Sequence, residues 1–361
     1  MSEHEHAKLR AVVIGCKMGL NHAKAIASVP DFELVGLCDL NADTARDAAA
    51  QTGGSAAVYT DFGLMLEELQ PDVAVIATPT GSHAKLTIVA AEAGVKAIYC
   101  EKPMAVHMGD ARKMTEVCEQ KGALLIIGHQ RRMSAPFIAM REQIEAGTIG
   151  KPYLMRATCA GDFLSDGTHS VDTLLYLAGE EKIKWVLSAM FRQDVEPGLP
   201  DQYDYAIFTG RRYGHAVESG MMVTLEFESG LRAEFLTGDA RLPGRGYQDI
   251  EVFGDQGRLW RAGDGAIPDV LVQDAQAGGF RGIELNTPDI YNDVLPNVFR
   301  KLAVSIRTGE PHPLAASTAI KVMEVVMAAY ESARLGRRLE LPLKQDRFPL
   351  DIMLESAVTA P

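Results

Sequence analysis

The chain has no surplus of positive charge. Its 361 residues carry 36 Lys and Arg against 48 Asp and Glu, a formal net charge of -12. A surface of that sign repels a polyanionic backbone, so no nucleic acid is expected as a partner. Cysteine is scarce: the five residues Cys16, Cys38, Cys100, Cys118 and Cys159 contain no CxxC pair. Most of them lie in or beside apolar runs, and an odd number of buried thiols suits a reducing cytoplasm rather than a disulfide framework. Long hydrophobic runs are missing, and the polar, mixed-charge segment Met1–Arg10 does not read as a signal peptide. These absences lead to the expectation of a soluble cytoplasmic protein with no membrane partner and no assigned metal site. What is present is an ordinary globular composition, 47% hydrophobic and 23% charged, in a chain long enough for two domains.

Strand and helix signals alternate regularly in the first third. Leu9–Ile14, Leu34–Cys38, Val73–Ala77, Ala97–Cys100 and Leu124–Ile127 are short Val/Ile-rich runs, with a weaker one at Ala56–Tyr59. Helical patterns separate them at Asn21–Val29, Ala42–Gln51, Phe62–Leu69, His83–Ala93 and Met108–Gln120. Such alternation implies a doubly wound parallel sheet, a Rossmann domain spanning residues 1–127. From about Gly128 the texture changes. Helices are expected over Pro136–Glu145 and from Thr168, then hairpins at Val217–Phe227 with Leu231–Leu236 and at Ile250–Phe253 with Arg258–Trp260. Two closing helices follow, at Asp289–Arg307 and Ala315–Leu335. Residues 128–361 therefore read as an α/β domain with a large, mostly antiparallel, open-faced sheet. Self-association, as a homodimer or homotetramer, would cover the exposed face.

Gly15-Cys16-Lys17-Met18-Gly19 joins the first strand to the first helix, where glycine lets backbone N–H groups approach a pyrophosphate. The full GxGxxG is missing: Lys17 stands at the usual second glycine and the loop is one residue shorter. Asp39, at the end of the second strand, is placed to accept ribose hydroxyls. No cation follows it until Arg46, which favours NAD, with NADP as the alternative. A generic turn with a helix-capping aspartate is the bland reading. Thr78, Pro79 and His83 follow the fourth strand signal and are candidates for the nicotinamide side. Ser82 and His83 could equally be first-turn residues of a helix.

Glu101-Lys102-Pro103 follows a buried-strand signal, at the sheet end where open α/β sheets bind ligands. Proline keeps Lys102 out of helix, and the X-Pro bond has access to cis. A lysine is a poor base at its ordinary pKa near ~10.4, but burial beside a cationic oxidised nicotinamide would lower it enough to take a proton from an alcohol. Glu101 is expected to order that loop, and Gln130 is a candidate for the nicotinamide carboxamide. In the second domain, His169, Asp172, Thr173 and Tyr176 fall on one helix face and Val171, Leu174, Leu175 and Ala178 on the other. His169 with Asp172 is then either a substrate-facing pair or a satisfied surface pair. Arg131 and Arg132 read as structural.

Together, the shortened glycine loop with His22, Asp39, Ala77-Thr78-Pro79 with His83, and Cys100-Glu101-Lys102-Pro103 resemble the Gfo/Idh/MocA family of glucose–fructose oxidoreductase, inositol dehydrogenase and rhizopine catabolism proteins. Gly128-His129-Gln130-Arg131-Arg132, Ile149-Gly150-Lys151-Pro152, Gly167-Thr168-His169 with Asp172, and Tyr330-Glu331-Ser332-Ala333 extend the likeness over essentially the whole chain. The resemblance implies hydride transfer between NAD(P) and a hydroxyl carbon of a sugar, cyclitol or related polyol. It marks Lys102 as the acid–base lysine and His169 as a second proton-handling or substrate-orienting residue. Many members carry Asp-x-x-x-His, whereas Ser165 stands four before His169 and Asp166 three before; Asp166 is the candidate to serve through a local shift. Asp166, His169, Asp172 and Lys102 are thus the expected substrate contacts. Redox-assisted glycoside cleavage with retained NAD, and a non-catalytic dinucleotide-binding sensor, are the alternatives.

Overall fold

The computed structural model describes residues 7–191, 210–241, 246–274, 278–285 and 290–359. The chain divides into two compact units. The first comprises Met1–Ala105, Asp110–Gln130 and Pro288–Ala319; the second comprises Val106–Gly109, Arg131–Thr287 and Ile320–Pro361.

In the first unit, β1 (Leu9–Ile14), β2 (Phe32–Cys38), β3 (Ala57–Tyr59), β4 (Val73–Ile76), β5 (Ala97–Cys100) and β6 (Leu124–Ile127) form one parallel sheet in the order β3-β2-β1-β4-β5-β6. Winding reverses between β1 and β4, which creates the crevice where doubly wound sheets take dinucleotides. Val12, Val13, Val73–Ile76 and Ala97–Cys100 are all buried, as strands covered on both faces must be. The intervening helices are Gly19–Ser28, Ala42–Gln51, Phe62–Leu69, His83–Glu92 and Met108–Lys121. Their starts follow local chemistry: the Asn41 side chain accepts from the Asp43 and Thr44 amides, and Asp61 accepts from Leu64. A later helix, Leu295–Thr308, also belongs to this unit, and its Phe299 ring lies edge-on to His22 at 6.1 Å.

The second unit is built on a larger sheet. Its strands are β7 (Pro152–Cys159) and β8 (Ile183–Phe191), then, beyond a small ribbon of β9 (Arg211–Arg212) and β10 (His215–Ala216), β11 (Gly220–Phe227) and β12 (Arg232–Thr237). β13 (Asp249–Gly254), β14 (Gly257–Ala262), β15 (Val270–Asp274), β16 (Arg281–Ile283) and β17 (Leu339–Glu340) complete it. The nine-stranded order is β16-β15-β14-β13-β7-β12-β11-β8-β17, and only β7 with β12 is parallel. The architecture is the expected one, a Rossmann-type parallel sheet and a mixed, mostly antiparallel sheet in an α/β chain.

Three details depart from the sequence expectations. A further helix, Pro349–Thr359, follows the two expected to close the chain. The helix Thr168–Leu177 has no solvent face: Asp172 and Thr173 are as buried as Leu174. A π-helical turn, Phe163–Gly167, leads into it, initiated by Asp162, which accepts from the Ser165 amide at 2.7 Å. Gly167 stands at the N-cap of that helix, without a side-chain bond.

Candidate active site

In the first unit, the loop after β1 turns at Gly15, whose φ is +86°. A Cβ at that position would stand 2.5 Å from the Ala77 carbonyl oxygen, so only glycine fits where the β1 and β4 exits meet. At Gly19 a Cβ would meet the Val13 side chain at 2.7 Å, which explains the close seating of the first helix on the sheet. Cys16 is buried, whereas Lys17 and Met18 are exposed on the loop. The Cys16 amide donates to Asp39 Oδ2 at 2.8 Å and the Asn41 amide to Oδ1 at 2.9 Å. Asp39 therefore ties the glycine loop to the end of β2 and keeps lone pairs for further donors. The Leu40 side chain beside it is 95% exposed.

At the β4 exit, Thr78 is half-buried and Pro79 exposed. Thr78 Oγ1 meets Ser82 Oγ at 2.7 Å, and Ser82 Oγ donates to the Pro79 carbonyl at 2.8 Å. Ser82 thus closes its own turn and does not cap the helix that follows. His83 is buried, with Nδ1 2.8 Å from the Pro103 carbonyl oxygen and Nε2 2.7 Å from that of Thr78. Burial draws its pKa below the usual histidine range, against the pull of those two carbonyls.

The β5 exit carries Glu101 and Lys102, followed by a cis peptide to Pro103. Glu101 Oε1 accepts from His22 Nε2 at 2.7 Å and from the Tyr99 hydroxyl at 3.3 Å. Its Oε2 accepts from the Lys102 amide at 3.1 Å. Burial opposes the charge of this carboxylate, but the His22 hydrogen bond and the charges of His22 and Lys102 hold its pKa below the ordinary value. Lys102 itself is half-buried. Gln130, at the end of this unit's β6 segment, is buried, and its Oε1 has no hydrogen-bond partner. That orphaned amide and the Cβ-free cradle at Gly15 are what a dinucleotide would use, one for a carboxamide and the other for a pyrophosphate. The residues present fit the coenzyme.

In the second unit, His169 and Asp166 are buried at the junction of the π turn and the helix. Asp166 Oδ2 accepts from Arg212 Nη1 at 2.7 Å, and Oδ1 accepts from the Tyr247 hydroxyl at 3.3 Å. The same Arg212 nitrogen reaches Asp162 at 3.1 Å. Ser165 occupies the position four before His169, and its Oγ lies 3.1 Å from His215 Nε2. Because His215 Nδ1 faces the Ala216 carbonyl at 2.8 Å, Nδ1 carries the proton and Nε2 accepts from Ser165. Glu218 is fully buried, bonded to the Phe163 amide at 2.7 Å and the Tyr330 hydroxyl at 2.6 Å. Burial, reinforced by Asp162, pushes its pKa up to about 8.

Asp172, expected to face substrate, is committed elsewhere. Both of its oxygens hold the Arg132 guanidinium, which also binds Glu180 at 2.8 Å. Arg131 grips Asp264 through two bonds of 2.9 and 2.8 Å. Asp162, Arg212, Glu218, Tyr247 and Tyr330 were not singled out by sequence reasoning as site residues. Glu218 left a signal, an acid at the head of an apolar run, whereas Arg212 lies in a turn with no periodicity to flag it. Among the described residues, no group of three or more His, Cys, Asp or Glu could hold a metal ion, and no helix is long and apolar enough to cross a membrane.

Residues 9–129 match the Gfo/Idh/MocA model described as an oxidoreductase family with an NAD-binding Rossmann fold, and residues 156–341 match the family's C-terminal alpha/beta domain. Among curated relatives, the myo-inositol 2-dehydrogenase of Thermotoga maritima is 26% identical over 92% of this chain and 98% of its own. The D-glucoside 3-dehydrogenase of Escherichia coli is 25% identical, covering 92% and 97%. The solved structure of the WlbA dehydrogenase from Bordetella pertussis, in complex with NADH and UDP-GlcNAcA, superposes with a TM-score of 0.73 at 23% identity over 94% of this chain and all of that one. The chain belongs to the Gfo/Idh/MocA oxidoreductase family. It is an NAD-binding oxidoreductase with the expected fold, family and coenzyme.

Proposed function

We propose that the protein is an NAD-dependent dehydrogenase that oxidises a hydroxyl carbon of a polyhydroxylated small molecule, a sugar, cyclitol or related polyol, with Lys102 as acid and base. The observation that carries this reading is the β5 exit, where a lysine follows a carboxylate locked by His22 at the mouth of a dinucleotide crevice. A nicotinamide coenzyme, when bound, would supply the hydride acceptor. Lys102 removes the hydroxyl proton as the hydride leaves, and returns one in the reverse direction. Gly15, Cys16, Lys17, Met18 and Gly19 would hold the pyrophosphate, Asp39 the adenosine ribose, and Thr78, Pro79 and Gln130 the nicotinamide side.

Asp39 favours NAD over NADP, since a 2′-phosphate would meet a carboxylate and the apolar Leu40 there. On the substrate side, His169 orients a hydroxyl or relays its proton. Asp166, neutralised by Arg212, shapes that surface, and Asp172 acts through Arg132 instead of through substrate. Residues 1–127, joined by the returning helix Leu295–Thr308, would form the coenzyme domain and the rest of 128–361 the substrate domain of a cytoplasmic homo-oligomer.

The test is a panel of polyols, aldoses, inositols and sugar acids, each followed for NADH or NADPH absorbance. Growth with NAD on a free polyol or sugar supports the reading. Glycoside turnover without net NADH would replace it with redox-assisted cleavage, and NAD binding with no turnover of any kind would favour a sensor.

A further inference from the structure

Its place after the fourth strand makes His83 a candidate for the nicotinamide side, yet both of its ring nitrogens face backbone carbonyls. Nδ1 lies 2.8 Å from the Pro103 oxygen and Nε2 2.7 Å from the Thr78 oxygen. Carbonyls only accept, so a neutral ring donates to one of them at a time and only an imidazolium donates to both; in either state both nitrogens face backbone and none is turned to a ligand. One backbone segment is the β4 exit. The other is the residue immediately after Lys102.

On the other side of Lys102 the pattern repeats. Glu101 is gripped by His22 at 2.7 Å and in turn receives the Lys102 amide at 3.1 Å. The residues flanking Lys102 are therefore each held by a buried histidine, one from the helix after β1 and one from the helix after β4.

We infer that His83 is a positioning residue for the Lys102 amine and makes no contact with the coenzyme. Its work is to fix the Pro103 carbonyl, and with it the direction in which residue 102 leaves the sheet. Misplacement of a reacting group by about 1 Å is enough to cost roughly a hundredfold in rate, so a tether one residue away matters. The inference rests on Lys102 being the acid–base group, but its test does not depend on a substrate.

Wild type and the variants His83→Ala, His83→Asn and His83→Gln, each with and without NAD, are pulsed with acetic anhydride, and acetylation of Lys102 is read by peptide mass spectrometry. Lys96, paired with Asp72 on the surface, serves as the internal standard. NAD affinity is measured in parallel by calorimetry. Asn places its amide near the Nδ1 position and keeps the Pro103 contact; Gln places its amide near Nε2 and keeps the Thr78 contact. Alanine is expected to speed Lys102 acetylation roughly fivefold, the weight of one buried hydrogen bond, with Lys96 and NAD affinity unchanged. Asn should restore the slow rate and Gln should not.

An alanine variant with wild-type Lys102 reactivity, or one whose main defect is lost NAD affinity, would overturn the inference. If alanine does not fold, the Asn–Gln contrast decides alone, and equal rates in those two would overturn it. A Lys102→Ala enzyme that still turns over would remove the acid–base assignment while leaving the tether measurement intact.

Discussion

Asp172 shows how one residue's role changes with its surroundings. On a solvent-facing helix its carboxylate could reach a substrate hydroxyl; here the helix is buried all round and the carboxylate neutralises Arg132. Breaking such a buried pair from one side strands the other charge and costs about 3–5 kcal/mol. Asp172→Ala should therefore lower the melting temperature sharply, measured by calorimetry, and lose activity only as far as it loses fold. A variant of undiminished stability with no turnover would return Asp172 to the substrate. Glu218 gives a second residue-scale expectation. Its pKa in the folded protein is pushed up to about 8 from the ordinary 4.5, chiefly by burial. The folded state then holds a proton that the unfolded chain releases between those values, so stability is full below about 4.5 and is lost as pH rises toward 8. Denaturant melts at a series of pH values should show this fall, and Glu218→Gln should flatten it.

At the scale of elements, the junction between β7 and the following helix carries the proposed site residues of the second unit. Gly161 turns there at a φ of +84°, and a Cβ would fall 1.9 Å from Asp166 Oδ2. Gly161→Ala is expected to cost about 1–3 kcal/mol in thermal unfolding and to displace Asp166 from Arg212. A melting curve identical to wild type would contradict this. That junction was also the least legible part of the sequence. In the first unit, runs such as Val73–Ile76 are apolar throughout because both faces are covered, so the strands and the helices between them could be read directly. A π turn has no residue signature of its own, so the helical signal begins only at Thr168, after Phe163–Gly167. β7 and β8 were missed for a related reason. Their exposed positions hold apolar residues such as Tyr153 and Leu187, which blur the alternation that marks a half-buried strand. The glycine turn after β1 was legible because close approach of two strand exits demands a local motif. The Asp166–Arg212 pair, joined across 46 residues, left no such trace.

For the whole molecule, the open face of the larger sheet sets the expectation. In register, Leu187 stands opposite Thr224 and Met222 opposite Ala189, so these side chains share one face, and Leu187 and Met222 are 43% and 47% exposed. Exposed apolar area on a broad sheet is suited to burial against a second copy. Light scattering should report a dimer or tetramer, and the double variant Leu187→Lys, Met222→Lys should shift it to a smaller species with NAD binding retained. A wild-type monomer at working concentration would contradict this.

The account as a whole stands on the amine at residue 102. The most direct measurement compares wild type with Lys102→Ala on the best substrate of the polyol panel, with NAD affinity determined on the same preparations. The account expects turnover to fall by about 10²–10⁴-fold, the usual weight of a positioned acid–base group, while NAD binds as before. An alanine enzyme that oxidises substrate at the wild-type rate would contradict it.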